Sequence, residues 1–266
     1  MIGIVLNTDR RFRCLGHDLE QMGMHVSEKL DPSQADFVIF GLKGPDRLGK
    51  VQLENHDLLS FDESFFQALP QHCLVLSYVH NAYLEMMAAR YGFVYLAFED
   101  DERLAKINAD LTAEACISEL IARRPYALSG SRISILGYGR IGKALAAMLQ
   151  GFHVDGTIVL RNRAYDLAIQ ALGYRVCRFQ DEAYLDADII INTVPATVLY
   201  EAQLERLDKQ TMLIELASFP YGFDSAKAMS LGLEVALLPA LPAKYAYASS
   251  AAAMAQAFYR QLEKRM

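Results

Sequence analysis

The stretch Ile133-Ser134-Ile135-Leu136-Gly137-Tyr138-Gly139-Arg140-Ile141-Gly142, running on into Lys143-Ala144-Leu145-Ala146-Ala147-Met148-Leu149, decides how this chain is read. A short apolar run of strand character leads into three glycines spaced G-x-G-x-x-G, and an alanine-rich segment of helical character follows. The glycine spacing alone is a weak signal, but between a strand and a helix it marks a phosphate-binding turn. Gly137 permits the tight turn, Gly139 lets backbone approach a pyrophosphate, and Gly142 lets the helix pack against the strand. The helix then offers the N–H groups of its first turn and a partial positive charge to an anion. A glycine-rich turn that holds no ligand is the alternative.

Outward from this motif, apolar runs of strand length alternate with segments of helical spacing, the pattern that builds parallel α/β sheets. Before it, strands are expected at 2–6, 37–40, 73–77 and 94–98, with 41–61, rich in Gly, Asp and Lys, a loop at a sheet's edge. From the motif onward they are expected at 133–136, 157–160, 175–179, 189–194, 212–216 and 235–238, the six of a complete dinucleotide fold. Between the halves, 108–124 has helical spacing, with Asp110 or Thr112 as its cap. The expected fold class is therefore α/β with two domains. A smaller flavodoxin-like N-terminal domain spans 1–125, and a Rossmann-type, doubly wound parallel sheet spans 126–244. A C-terminal helix, 245–266, is expected to pack back on the first domain.

Composition bounds the partners. The 266 residues are 53% hydrophobic and 22% charged, which excludes disordered and collagen-like classes. The net charge of -6 argues against coating nucleic acid, because neutralising phosphates needs a basic field. Cys14, Cys73, Cys116 and Cys177 include no C-x-x-C pair, so neither a disulfide framework nor a zinc cluster is indicated, and no metal site is expected. The opening run is too short and wrongly flanked for a signal peptide, and the alanine-rich 245–259 is interrupted by Ser249, Ser250 and Gln256. No stretch reaches the roughly 20 apolar residues of a membrane span, and the expectation is a cytoplasmic protein with small-molecule or protein partners.

The strand after the motif ends in Arg161-Asn162-Arg163, where NAD-specific proteins carry a carboxylate for the ribose hydroxyls. A carboxylate would repel a 2′-phosphate, whereas Arg161 and Arg163 bind one with charge-assisted bonds of about 1.5–3 kcal/mol each. NADP (NADPH) is favoured over NAD on this ground; solvated surface arginines are the alternative. Asn192-Thr193-Val194-Pro195 and Ala217-Ser218-Phe219-Pro220-Tyr221-Gly222 follow the next two strands, where an open parallel sheet binds its ligand. Ordinary turn chemistry would explain their composition equally. The expected cofactor residues are thus Gly137, Tyr138, Gly139, Arg140, Ile141, Gly142, Arg161, Asn162, Arg163, Thr193, Val194, Pro195 and Ala217. The nicotinamide supplies hydride chemistry, and the protein supplies orientation and electrostatics. The arginine and histidine of the 2-hydroxy acid dehydrogenases are missing, since the corresponding loops read Ser218-Phe219 and Leu241-Pro242. His80 beside Asn81 is a candidate acid or base, with a structural histidine as its alternative. Hydrolase and kinase signatures are absent.

Taken together, these residues resemble the dipicolinate synthase family of bacteria, in its NADP-binding A-type chain, over most of their length. The resemblance is carried by Asp9 and Arg11, by Asn81-Ala82-Tyr83-Leu84-Glu85, and by Asp100-Asp101 with Asn108, Thr112 and Glu114. It continues through the glycine motif, Arg161, Asn192-Thr193-x-Pro195, Leu216-Ala217-Ser218-x-Pro220-x-Gly222-x-Asp224 and Leu241-Pro242-x-Lys244. It implies an NADP-binding oxidoreductase component that partners a flavoprotein-like B-type component of dipicolinate synthase in sporulation. The product would be dipicolinate (pyridine-2,6-dicarboxylate), formed from a dihydrodipicolinate-type precursor with substrate between the two domains. A dicarboxylate calls for cations and hydroxyl donors. Lys244 is the first candidate, followed by Ser218, Asn81, Thr112 and Arg11. Phe219 stands where the family has a basic residue and Tyr221 where it has glycine, and 243–251 also departs. Another small carboxylate as substrate, or a non-catalytic NADP-binding partner role, therefore stays open. Oligomeric state is not fixed, and a homo-oligomer is allowed.

Overall fold

The computed structural model describes residues 1–27 and 31–265. It divides into one unit of Met1–Asn108 with Pro242–Met266 and a second of Ala109–Leu241. In the first, the order is β1 (Ile2–Val5), α1 (Arg10–Gln21), β2 (His25–Val26), β3 (Phe37–Ile39), β4 (Lys50–Gln52), β5 (Leu58–Ser60) and α2 (Glu63–Ala68). Then come β6 (Leu74–Ser77), α3 (Ala82–Tyr91), β7 (Val94–Ala97) and α4 (Glu102–Arg123), which crosses into the second unit. Among the described residues the sheet is parallel, five-stranded and ordered β2-β1-β3-β6-β7. Side chains alternate across a strand, so Val5, Phe37, Ile39, Leu74 and Leu76 face one apolar layer while Ile4, Val38, Phe40 and Val75 face the other. Both faces are covered, as a parallel sheet requires.

Two local expectations are corrected. The 41–61 segment is not only loop, since β4 and β5 pair antiparallel within it. The helix expected from residue 108 begins at Glu102, so Asp110 and Thr112 lie inside α4. The Asp101 carboxylate accepts a hydrogen bond from the Leu104 N–H at 2.9 Å, and caps the helix instead. Sequence reading began the helix at its more strongly apolar half and passed over the polar first turns.

In the second unit follow β8 (Arg132–Leu136), α5 (Arg140–Gln150), β9 (Asp155–Val159), α6 (Asp166–Ala171), β10 (Arg175–Cys177) and β11 (Ile189–Asn192). After them come α7 (Glu201–Leu204), β12 (Met212–Glu215), α8 (Ser225–Ser230) and β13 (Glu234–Leu237). Among the described residues they form a parallel six-stranded sheet, β10-β9-β8-β11-β12-β13. In order along the unit this is 3-2-1-4-5-6, with the topological switch between β8 and β11. Ile133, Ile135, Ile189, Ile191 and Ile214 fill one buried layer, and Leu136, Val159, Ile190 and Leu213 the other.

The chain ends with α9 (Leu241–Tyr245) and α10 (Tyr247–Glu263). Helix α10 packs on the first unit, where fully buried Phe258 meets the Phe37 ring at 4.9 Å and the Arg260 guanidinium bonds Asp101 at 2.7 Å. Among the described residues no helix is long and apolar enough to cross a membrane.

Candidate functional site

The second sheet's carboxyl edge is built around the glycine turn. Gly137 has φ +99°, and a Cβ there would lie 2.6 Å from Thr193 Oγ1. At Gly142 a Cβ would lie 2.2 Å from the Gly137 carbonyl oxygen, so α5 can approach the turn only without one. Gly139 differs. Its backbone is extended, and a Cβ would meet nothing within 4 Å. It is the N-cap of α5 and supplies no side-chain acceptor to the helix's first turn. The fold therefore needs Gly137 and Gly142 for itself, while the space above Gly139 suits a ligand's diphosphate beside uncapped helix N–H groups. Tyr138 and Ile141 pack partly on the apolar layer, and Arg140 begins the helix. Lys143 Nζ lies 4.3 Å from the Tyr165 ring centroid, and Tyr165 meets Tyr138 edge to face.

At the end of β9, Arg161, Asn162 and Arg163 are exposed. The Asn162 carboxamide oxygen accepts the Ala164 N–H at 2.9 Å, which starts the turn carrying Arg163 and Tyr165. Neighbouring Arg175 and Arg178 are paired with Asp155 and Asp166. Arg161 instead lies over the Phe179 ring at 5.8 Å and lines a cavity of about 390 Å³ with Gln180, Thr197, Tyr200 and Gln203. Sequence reading missed Phe179, Gln180 and Thr197 as cavity residues. The strand order gave the only available signal, because it brings the β10 and β11 loops beside the β9 tip.

On the other side of the switch point, Thr193 Oγ1 donates to the Leu136 carbonyl at 2.8 Å, tying the β11 loop to the glycine turn. Asn192 is fully buried, and its carboxamide bonds both the N–H and the carbonyl of Val194. It also donates to Glu215 Oε1 at 2.7 Å. Glu215, likewise buried, accepts the Ala217 N–H at 2.9 Å and the Gly222 N–H at 2.8 Å. Burial raises its carboxyl pKa, and these bonds only partly oppose that rise. In the sequence Glu215 is one more position of the strand expected at 212–216, and nothing local marks it as a site residue. Ser218 is exposed, Phe219 is 83% exposed, and the Phe219 and Tyr221 rings meet edge to face.

The remaining candidates are placed as follows. Arg11 is buried in the first unit, its guanidinium bonded to Asp9 by Nη2 at 2.6 Å and Nε at 3.1 Å and set 5.6 Å from the Tyr78 ring. Asn81 caps α3 through its oxygen, while its nitrogen donates to the Lys43 and Pro45 carbonyls at 2.7 and 2.8 Å. Both side chains thus hold the first unit's carboxyl-edge loops. His80 lies between Asp100 at 2.9 Å and Glu85 at 3.3 Å, and the Asp100 bond leads the causes that raise its pKa. Thr112 is buried within α4 in the second unit, whereas Lys244 is exposed on α9 and belongs with the first.

Residues 96–218 match the family model for the D-isomer specific 2-hydroxyacid dehydrogenase, NAD binding domain. The dipicolinate synthase A chain of Bacillus subtilis (strain 168) is 30% identical over 175 residues, an alignment spanning 65% of this chain and 59% of that protein's length. The crystal structure of the dipicolinate synthase A chain from Bacillus halodurans superposes with TM-score 0.89 at 22% identity, covering 98% of this chain and 97% of the other. The dipicolinate synthase A chain from Bacillus subtilis gives TM-score 0.89 at 23% identity, over 99% and 96%. Residues 96–218 are thus similar to an NAD binding domain of dehydrogenases, and in sequence and fold the chain is similar to the A-type chains of the dipicolinate synthase family.

Proposed function

We propose that this chain is the NADP-dependent oxidoreductase component of a dipicolinate synthase, of the A type. It would oxidise a dihydrodipicolinate-type precursor to dipicolinate, passing a hydride to the nicotinamide and releasing a proton as the ring becomes aromatic. The observation that carries the reading is the Gly139 cradle, open in front of a helix with no side-chain cap. Residues 137–142 would hold the diphosphate, and Thr193, Val194, Pro195 and Ala217 would line the nicotinamide half. Arg161 and Arg163, with Asn162 shaping their turn, would take the 2′-phosphate. Lys244 is the first group assigned to the dicarboxylate, with Ser218 as a hydroxyl donor and Thr112 as a further candidate. Arg11 and Asn81, whose polar atoms already bond Asp9 and loop carbonyls, serve by positioning. A flavoprotein-like B-type partner, a cytoplasmic location and a place in sporulation complete the reading.

The test supplies freshly generated precursor and NADP to the full chain, with and without the B-type partner, and follows dipicolinate and NADPH together. Product in step with NADPH supports the reading. Intact NADPH binding without product in either arm removes it. A second reading, an NAD(P)-dependent reductase or dehydrogenase of another small carboxylate, is favoured by one observation. Exposed Phe219 and half-buried Tyr221 put aromatic rings where a dianion calls for cations.

A further inference from the structure

Glu215 is 1% exposed and Asn192 0%, at paired register positions of β12 and β11. A buried carboxylate is costly unless its lone pairs are met. Here they are met by one carboxamide and two backbone N–H groups, and among the described residues no neighbouring charge contributes to its proton affinity. Burial outweighs the three bonds, so ionised Glu215 does not favour the fold. What the bonds do is geometric. Ala217 and Gly222 mark the two ends of the 217–222 loop, and Asn192 carries the connection to Val194. The closure is tight, since a Cβ on Gly222 would lie 2.2 Å from Asn192 Nδ2. The topology gives this brace its place. With the diphosphate at α5 and the adenosine half toward the β9 tip, the nicotinamide half falls over the β11 and β12 loops.

We propose that Glu215 is a positioning residue of the dinucleotide site, whose carboxylate locks the 192–195 loop to the 217–222 loop and so fixes the surface under the nicotinamide. The proposal rests on the dinucleotide reading above. Glu215→Gln keeps the shape but turns one acceptor into a donor, which leaves a buried N–H unpaired. ADP-ribose, which lacks the nicotinamide, separates a local effect from a general one.

On the full chain, Glu215→Gln is expected to lose the emission change of bound NADH and to weaken NADH binding roughly ten- to hundredfold, with ADP-ribose affinity unchanged. The pH profile is a second readout. NAD+ keeps its diphosphate charge through the range, so wild-type affinity for it is expected to fall as pH drops through the raised Glu215 pKa. The fold gains stability over the same interval, because a pKa raised on folding contributes stability at low pH that is lost as pH rises. The variant is expected to show a flat binding profile. Wild-type NADH emission and affinity in Glu215→Gln would overturn the proposal, as would equal losses for NADH and ADP-ribose. If the variant does not fold, a flat wild-type profile overturns the proposal and a falling one supports it. A wild-type chain that binds neither of these nor NADPH removes the dinucleotide reading, and the proposal with it.

Discussion

Gly139→Ala separates what the glycine motif does for the fold from what it does for a ligand. At Gly139 the backbone is extended, with φ -79° and ψ -161°, and an added Cβ meets nothing within 4 Å. The fold should therefore lose only the difference between glycine and alanine at an N-cap, about 1 kcal/mol or less. At Gly142 the same methyl would sit 2.2 Å from the Gly137 carbonyl oxygen, with backbone on both sides. There α5 must move, at roughly 1–3 kcal/mol or more. For the ligand the order reverses in kind. The Gly139 methyl projects into the space a diphosphate would use and denies it at least one charge-assisted backbone bond, about 1.5–3 kcal/mol, or roughly ten- to 150-fold in affinity. Urea unfolding paired with NADPH titration reads both quantities on one preparation. The expected result for Gly139→Ala is a near-native midpoint with binding lost, and for Gly142→Ala a lowered midpoint. Native NADPH affinity in Gly139→Ala would refute the cradle, whatever the stability.

Three further outcomes are expected. Arg161→Ala should cut the NADPH-over-NADH preference about tenfold or more, the worth of one charge-assisted phosphate contact; competitive titration of the two reduced cofactors checks it, and an unchanged ratio removes Arg161 from the 2′-phosphate. Phe258→Ala deletes a fully buried ring packed against Phe37 and should destabilise the first unit by about 3–5 kcal/mol, read by denaturant unfolding. Lys244→Ala, altering an exposed side chain, should leave unfolding unchanged while raising KM for the dicarboxylate, and an unchanged KM takes Lys244 out of the substrate site.

The second unit was more legible in the sequence than the first, for a physical reason. Each of its six strands carries an apolar stretch of two residues or more, and the G-x-G-x-x-G turn marks where the strand stops and the helix starts. Strand β2, by contrast, is His25–Val26 alone, and β4 and β5 mix polar with apolar residues on a partly exposed hairpin. Neither has an apolar period long enough to read. At the site, local rules found the loops but not how their polar side chains are used. Asn81 and Arg11 look available to a substrate in sequence, yet their bonds run to the Lys43 and Pro45 carbonyls and to Asp9. Glu215 shows the reverse case, since only the pairing of β11 with β12 brings it to Asn192.

That contrast bears on where specificity lies along the carboxyl edge. At the β9 tip, Arg161 and Arg163 are exposed, and binding an anion there costs them little desolvation. A charge change at this end should therefore alter cofactor choice while barely touching the fold. At the β11 and β12 end, the polar groups are buried and bonded to one another, so a single substitution moves two loops together. At this same end, the 217–222 loop carries an exposed Phe219 on a buried anchor. Its side chain can change without disturbing the brace below, since only backbone N–H groups of that loop reach Glu215. Side chains at Phe219 and Tyr221 can therefore change while the bonds that join Asn192 and Glu215 to the two loops stay in place.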